Sequence, residues 1–428
     1  MSTSAQLAGL ELAVLFGGPS PEHDVSVLTG LQAVRALSGA APRGAGGSSG
    51  AAGAGATAGA GATAGAGAAG GAGASKVHAL FWSKAGEWFE VDGALEGPAF
   101  AEGAPGGSRP LELVAGPGGG FVAGRSRIGG KPQLLTVDAA VNCCHGGPGE
   151  DGSLQGVLDL AGIAYTGPGS AGAALGMDKL AFGAVVAAAG LPCLPRALLS
   201  PEQPGSSPEQ AGSSPGQPGE AKAPFPGPYI VKPRFGGSSI GIEVVADLET
   251  ARGLLRSSIH LRRGAVLEPY RPELHDLEIA VRSWPEVELS AIARPLRNTE
   301  GAHILGYGDK YVGGEGMVSA PRELPARLDA GLAAEVRAAA LEVARLVGSR
   351  GVGRVDFLSD GQNLYVNEVN TIPGSLARYL FVEPPLGFVE LLGGLVAEAR
   401  ARPAVQLASA GADGRVLRSA GSISSKLG

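Results

Sequence analysis

The sequence predicts an α/β chain of two or three domains that opens on a parallel sheet, and three observations lead there. Apolar runs of strand length at residues 12–16, 77–82 and 137–144 alternate with helix-compatible stretches at 25–37 and 153–160, the pattern of a parallel sheet with crossover helices. A length of 428 residues suits more than one domain. Two stretches, 39–75 and 200–227, are so rich in Gly, Ala, Ser and Pro that they read as insertions between folded pieces.

Bulk properties remove several function classes. The chain carries 34 basic and 40 acidic side chains, a formal charge of −6, and no basic block, which argues against nucleic acid or an anionic membrane as partner. Residues 1–10 hold no Lys or Arg ahead of an apolar core, and no run of about twenty residues is apolar enough to span a bilayer. Three cysteines, Cys143, Cys144 and Cys193, form neither a disulfide framework nor a zinc spacing and fit a reduced cytoplasmic compartment.

In chain order, strand 12–16 runs into Gly17-Gly18-Pro19-Ser20-Pro21-Glu22, and the following helix is expected to be capped by Asp24 or Ser26. Strand, glycine turn and helix make an anion- or amine-binding arrangement, because glycine lets backbone approach a ligand closely. Residues 39–74 contain no large apolar side chain and cannot offset the entropy of ordering. Strand 137–144 delivers His145-Gly146-Gly147-Pro148-Gly149-Glu150-Asp151-Gly152 at the end of a sheet where open α/β folds bind ligands, and a short strand at 163–165 follows.

A helix is expected from Met177 to Ala189, ended by Gly190-Leu191-Pro192. Strand 229–232 ends in Lys232 and leads to Gly236-Gly237-Ser238-Ser239, a loop that can grip phosphate by charge and by backbone N–H groups. Residues 237–241 also fit the G-x-S-x-G elbow of serine hydrolases, but that elbow must enter a helix, whereas 240–245 reads as a strand. Strands are expected at 265–268, 277–281 and 288–293, a glycine-rich lid at 306–316, helices at 326–346 and 386–399, and a loose tail after about residue 402.

Residues 351–374, GVGRVDFLSDGQNLYVNEVNTIPG, form the most informative stretch. Two apolar-rich runs flank a polar link and predict a hairpin. Pairing Leu358 with Leu364 sets Asp356 against Val366 and Arg354 against Glu368, so Arg354, Asp356, Glu368 and Asn370 share one face. Val355, Phe357, Tyr365, Asn367 and Val369 then share the other. Oxygen ligands of this kind suit Mg²⁺ completed by substrate phosphate.

That hairpin, with GGPSPEHDVSVLTG and HGGPGEDGSLQG, resembles the ATP-grasp ligases and within them the D-alanine–D-alanine ligase family, across roughly residues 11–395. The resemblance implies three domains: a Rossmann-like parallel-sheet domain (1–166), a central α+β ATP-binding unit (167–268) and a C-terminal α+β unit with metal site and lid (269–402), followed by a tail (403–428). It implies ATP, two Mg²⁺ ions (Mn²⁺ as a substitute) and D-alanine as ligands, a cytoplasmic enzyme of peptidoglycan synthesis, and expected homodimers. Asp356, Glu368 and Asn370 would bind metal. Lys179, Lys232 and Lys310 would hold phosphates, Glu268 the adenine and Asp276 the ribose. Glu22 and His145 would face the first substrate, Ser238 and Tyr311 would link loop and lid to Glu22, and Arg354 with the Gly374 amide would stabilise an oxyanion. Alternatives within the resemblance are D-alanine–D-serine or D-alanine–D-lactate ligation, or an inactive nucleotide-binding relative. Tyr311 favours an amine as second nucleophile. Residues 375–380, SLARYL, depart from the usual form, in which a small hydroxyl residue stands near Tyr379.

Overall fold

The computed structural model describes residues 7–39, 74, 76–124, 132–200, 225–296, 321–405 and 408–421. The first strand, β1 (Glu11–Gly17), is followed by α1 (His23–Ser38), β2 (Lys76–Trp82), β3 (Trp88–Val91), β4 (Arg109–Val114), β5 (Gly120–Ala123), β6 (Gln133–Leu134) and β7 (Ala139–Asn142). β1 lies parallel to both β2 and β7, as the alternation implies. The full sheet, ordered β6-β5-β4-β3-β2-β1-β7, is mixed and not purely parallel, because hairpins β3 to β6 extend it antiparallel. Residues 163–165 contribute only a single bridge, Tyr165 to Ala140. α1 packs so closely on β1 that a Cβ at Gly30 would stand 2.3 Å from the Phe16 Cβ.

Neither expected cap serves α1. Its start follows Glu22 without a side-chain bond, while Ser26 Oγ donates to Cys143 O and accepts from Gly17 N, both at 2.7 Å, tying β1 to the end of β7. Next come α2 (Gly147–Glu150), α3 (Ser153–Ala161), α4 (Ser170–Met177) and α5 (Lys179–Ala188). The helix expected from Met177 is thus broken at Asp178, whose carboxylate accepts from Leu180 N and Ala181 N and caps α5.

A second sheet, ordered β10-β9-β11-β8, joins β8 (Ala197–Leu199), β9 (Tyr229–Pro233), β10 (Glu243–Val245) and β11 (Ala265–Pro269), with α6 (Leu248–Ser257) covering it. Residues after Ser239 enter strand β10, not a helix, so the hydrolase elbow is excluded. A third sheet, β13-β12-β16-β17, joins β12 (His275–Arg282), β13 (Glu288–Leu289), β16 (Val352–Ser359) and β17 (Leu364–Asn370), and α7 (Ala330–Leu346) packs on its apolar face. β14 (Arg294–Pro295) and β15 (Arg322–Glu323) form a small ribbon, and of the expected strand 288–293 only β13 and a single bridge from Ala293 to Glu278 form. α8 (Phe388–Ala401) and a single turn, α9 (Arg415–Arg418), close the chain. Leu391, Leu392, Leu395 and Val396 of α8 share one apolar cluster with Leu12, Val14, Leu31 and Val141, so the far end of the chain completes the core of its first sheet.

Candidate active site

The site starts from the β16–β17 hairpin, whose register differs from the expected one. Arg354 faces Asn370 and Asp356 faces Glu368, while Phe357 faces Val366 and Leu358 faces Tyr365. The ladder shifts between Asp356 and Phe357, leaving Asn367 as the extra residue of a bulge. The bulge exchanges faces partway along β17. Val366 joins the apolar core in place of Tyr365, and Asn367 turns to the polar side. Arg354, Asp356, Glu368 and Asn370 still share one face, as expected.

Arg354 is buried and its guanidinium clamps Asp356 by two bonds of 2.6 Å, while Nη1 donates to Tyr379 Oη at 3.0 Å. Burial opposes its charge, but Asp356 and Glu278 outweigh that and raise its pKa well above the usual range. Asp356 moves the other way: burial pushes its carboxyl up to about 6 despite Arg354. Asn370 Nδ2 adds a bond of 3.0 Å to Asp356 Oδ2. Glu368 is held by Lys179 Nζ at 2.7 Å, and the same ammonium donates to Gly236 O at 2.8 Å.

Lys232, at the end of β9, donates to Glu268 at 2.8 Å and to Asn367 Oδ1 at 3.0 Å. Arg196 Nε sits 2.9 Å from the other Glu268 oxygen, an ion pair poorly aligned for a hydrogen bond. Burial works against the Glu268 charge, but Lys232 and Arg196 prevail and hold its carboxyl below the usual range. Lys232, Glu268 and Asn367 line a cavity that also takes in Leu194, Ile230 and Leu358 on an apolar wall, together with Asp276. An apolar slot with carboxylates at one end and two lysines near the acidic hairpin has the polarity of a nucleotide, base inward and phosphates toward Asp356 and Glu368.

A second, smaller cavity is bounded by Glu22, His145, Glu150, Ser238, Arg354 and Gly374. Ser238 Oγ donates to Glu22 Oε1, joining the 236–239 loop to the first domain. Gly146 permits this closeness, since a Cβ there would stand 2.3 Å from Glu22 Oε2. His145 borders the cavity with both nitrogens engaged, Nδ1 at 2.6 Å from Ile372 O and Nε2 at 2.8 Å from Thr29 Oγ1. The bonding pattern assigns Nδ1–H as donor and Nε2 as acceptor. Burial drives its pKa down to about 4, so the ring is a neutral strut for the 372–375 turn. Glu150 supports the same turn by accepting from Ile372 N at 2.8 Å and Thr371 Oγ1 at 3.2 Å. Burial, then Glu22, push its carboxyl up to about 7.

Comparison with known proteins decides the family. The domain described as "D-ala D-ala ligase N-terminus" matches residues 11–168, and "D-ala D-ala ligase C-terminus" matches 185–383. A D-alanine–D-alanine ligase of Corynebacterium aurimucosum is 34% identical over 62% of this chain and 72% of its own. The chain belongs to the D-alanine–D-alanine ligase family. A Bradyrhizobium ligase of the same name is 29% identical over 92% of this ligase and 96% of its own length. Two solved structures share the fold: the D-alanine–D-alanine ligase of Coxiella burnetii (TM-score 0.65, 21% identity, 92% of this chain and 94% of that one) and the VanG D-Ala:D-Ser ligase of Enterococcus faecalis (TM-score 0.63, 22%, 91% and 99%).

Of the residues singled out from sequence, Glu22, His145, Lys179, Lys232, Ser238, Glu268, Asp276, Arg354, Asp356, Glu368, Asn370 and Gly374 all border these two cavities or a third small one that shares Glu368 with both. Lys310, Tyr311 and the expected lid lie outside the described residues. Sequence reading missed Glu150, Arg196, Glu278, Asn367 and the strut Thr29. Strand alternation was a usable signal for Glu278, two places after Asp276 on β12. No such signal reveals Asn367, because a bulge is invisible to strict alternation.

The donor set fits a hard dication. Asp356, Glu368 and Asn370 offer oxygen ligands, the preference of Mg²⁺; Asp356 and Glu368 line the first cavity, and Glu368 and Asn370 the second. Among the described residues no three His, Cys, Asp or Glu side chains converge closely enough to hold a metal alone. Arg354 and Lys179 instead occupy the two carboxylates.

Proposed function

We propose that this ligase uses ATP to join two D-alanines into D-alanyl-D-alanine for peptidoglycan. A carboxylate oxygen of the first D-alanine attacks the γ-phosphorus and ADP leaves, giving an acyl phosphate. The amine of the second D-alanine attacks the acyl carbon and loses a proton, and phosphate departs from the tetrahedral intermediate. The observation that carries this reading is the convergence of Arg354, Asp356, Glu368 and Asn370 on one face of the β16–β17 hairpin, with an apolar-walled slot on one side and the cavity around Glu22 on the other.

Lys179 and Lys232 neutralise phosphate oxygens, and Lys310 adds a third cation from the lid. Glu268 and Asp276 face adenine and ribose. Glu22, held by Ser238, takes the ammonium of the first substrate, with His145 fixing the wall beside it; the role expected of Tyr311 would extend this chain. Arg354 and the Gly374 amide stabilise the oxyanion. Asp356, Glu368 and Asn370 would hold two Mg²⁺ ions, which when bound neutralise the developing phosphate charge. Positioning and charge neutralisation thus supply the catalysis. We further infer a cytoplasmic homodimer. The described residues contain no helix long and apolar enough to cross a membrane.

Tyr379 favours a second reading for the acceptor alone. Its phenol bonds Arg354 and the Arg322 guanidinium lies 4.2 Å over its ring, which reshapes the space beside the expected oxyanion and suits an acceptor other than D-alanine. Phosphate release from Mg-ATP with D-alanine, D-serine, D-lactate and L-alanine in turn tests both readings. Release with D-alanine alone supports the first, and release with none of the four overturns both.

A further inference from the structure

The ligase reading assigns no role to Glu278, yet this residue sits at the centre of the acidic face. It lies on β12, directly opposite Asp356 in the ladder, so the two carboxylates project to the same side of the sheet. The residue is only 4% exposed. Its Oε2 is buried and makes no hydrogen bond, and Oε1 stands 3.8 Å from Arg354 Nη2, within charge contact but too far for a hydrogen bond. A buried carboxylate left this poorly satisfied is a weak strut, and such groups need an explanation in function.

Arg354 supplies one. Its Nε and Nη2 take both oxygens of Asp356, and Asn370 Nδ2 takes a further position on Oδ2. A divalent cation can reach Asp356 only if the guanidinium gives up at least one oxygen. The displaced guanidinium is buried, so losing an acceptor is costly unless another lies within a small movement. Tyr379 Oη already holds Nη1, and Glu278 is the remaining carboxylate beside Nη2.

We infer that Glu278 is a positioning residue that takes over the Arg354 guanidinium when Asp356 turns to a divalent cation. In the metal-free arrangement Arg354 neutralises Asp356 and holds Glu278 at a distance. In the loaded arrangement the cation neutralises Asp356 and Arg354 closes on Glu278, with Nη1 still directed by Tyr379. One buried guanidinium thereby serves two carboxylates in turn, and metal loading sets it in its working position. The inference rests on the ligase reading of this site.

The test measures Mn²⁺ binding in the presence of ADP and without amino acid, by electron paramagnetic resonance of free Mn²⁺, for the full chain and for Glu278→Gln, which keeps the side-chain volume. Loss of a residue that orients a metal ligand commonly costs about 10- to 100-fold in metal affinity, and that is the loss expected for the variant, with metal-free thermal unfolding close to that of the unaltered chain. Arg354→Lys supplies the second arm. An ammonium cannot occupy both Asp356 oxygens, so in that background Glu278→Gln should cost less than about threefold. Unchanged Mn²⁺ affinity in Glu278→Gln overturns the inference while leaving the ligase reading intact. An equal loss in both backgrounds also overturns it, because Glu278 would then act on the cation and not through Arg354. Failure of the unaltered chain to bind Mn²⁺ with ADP overturns the ligase reading and the inference together.

Discussion

Replacing Arg354 by lysine separates the charge of this side chain from its shape. The guanidinium makes three hydrogen bonds, two to Asp356 at 2.6 Å and one to Tyr379 at 3.0 Å, and its Nη2 faces Glu278 at 3.8 Å. An ammonium on a flexible aliphatic stem keeps the positive charge among Asp356 and Glu278 but loses the planar fork. Retaining the charge avoids the roughly 3 to 5 kcal/mol that an uncompensated buried partner costs, so the variant should fold. Loss of a positioned oxyanion donor typically costs about 100- to 1000-fold in kcat, or about 2.7 to 4 kcal/mol. The KM for ATP should stay within about threefold, because Lys232, Glu268 and the apolar wall of the slot do not touch this side chain. Steady-state ADP release at varied ATP and saturating D-alanine measures both quantities. A lysine variant with kcat within about threefold of the parent, or one whose whole loss lies in the KM for ATP, refutes the role given to Arg354.

Three further outcomes are expected. Ser238→Ala removes the donor to Glu22 and should lower kcat/KM for the first D-alanine by about 10- to 100-fold with little change in KM for ATP, the range for a buried acceptor losing its partner, and steady-state kinetics will show it. His145 is held neutral with its pKa near 4, below its ordinary 6.5, so the unfolded chain takes up its proton first and stability falls by up to about 3 kcal/mol as pH drops from 6.5 to 4. Glu150, raised to about 7, has the opposite sign and loses stability as pH rises from 4.5 to 7, so the comparison to make is denaturant unfolding of His145→Gln against the parent across this range, where parallel curves would refute the assignment. Deleting residues 40–73 should leave turnover within about twofold, because Ala74 N already bonds Leu37 O at 3.2 Å and the two ends meet without the insertion. A large fall in turnover would show that the insertion is not passive.

Much of the site was legible because its residues sit where strands end. Asn370 closes β17, Lys232 and Glu268 stand one residue before the ends of β9 and β11, and period-two alternation alone puts Arg354 with Asp356 and Glu368 with Asn370. The hairpin register was misread because a bulge at Asn367 cannot be seen in a pattern that assumes strict alternation. The strands β3 to β6 were missed for a different reason: they are two to six residues long, too short for an alternating pattern to stand out. Ser26 looked like a helix cap from its position in sequence. Its hydroxyl instead ties Gly17 to Cys143, a partner 117 residues away that no local rule supplies.

The placement of α8 has a consequence for how the protein is made. Leu391, Leu392, Leu395 and Val396 seat against Leu12, Val14 and Val141, and each such leucine contributes about 1.5 to 3 kcal/mol by leaving water. During synthesis the opening sheet must therefore wait, with an apolar flank uncovered, until residues 388–396 have left the ribosome. A fragment that stops before residue 388 would carry that flank into solution and should clump, whereas a chain that includes α8 covers it.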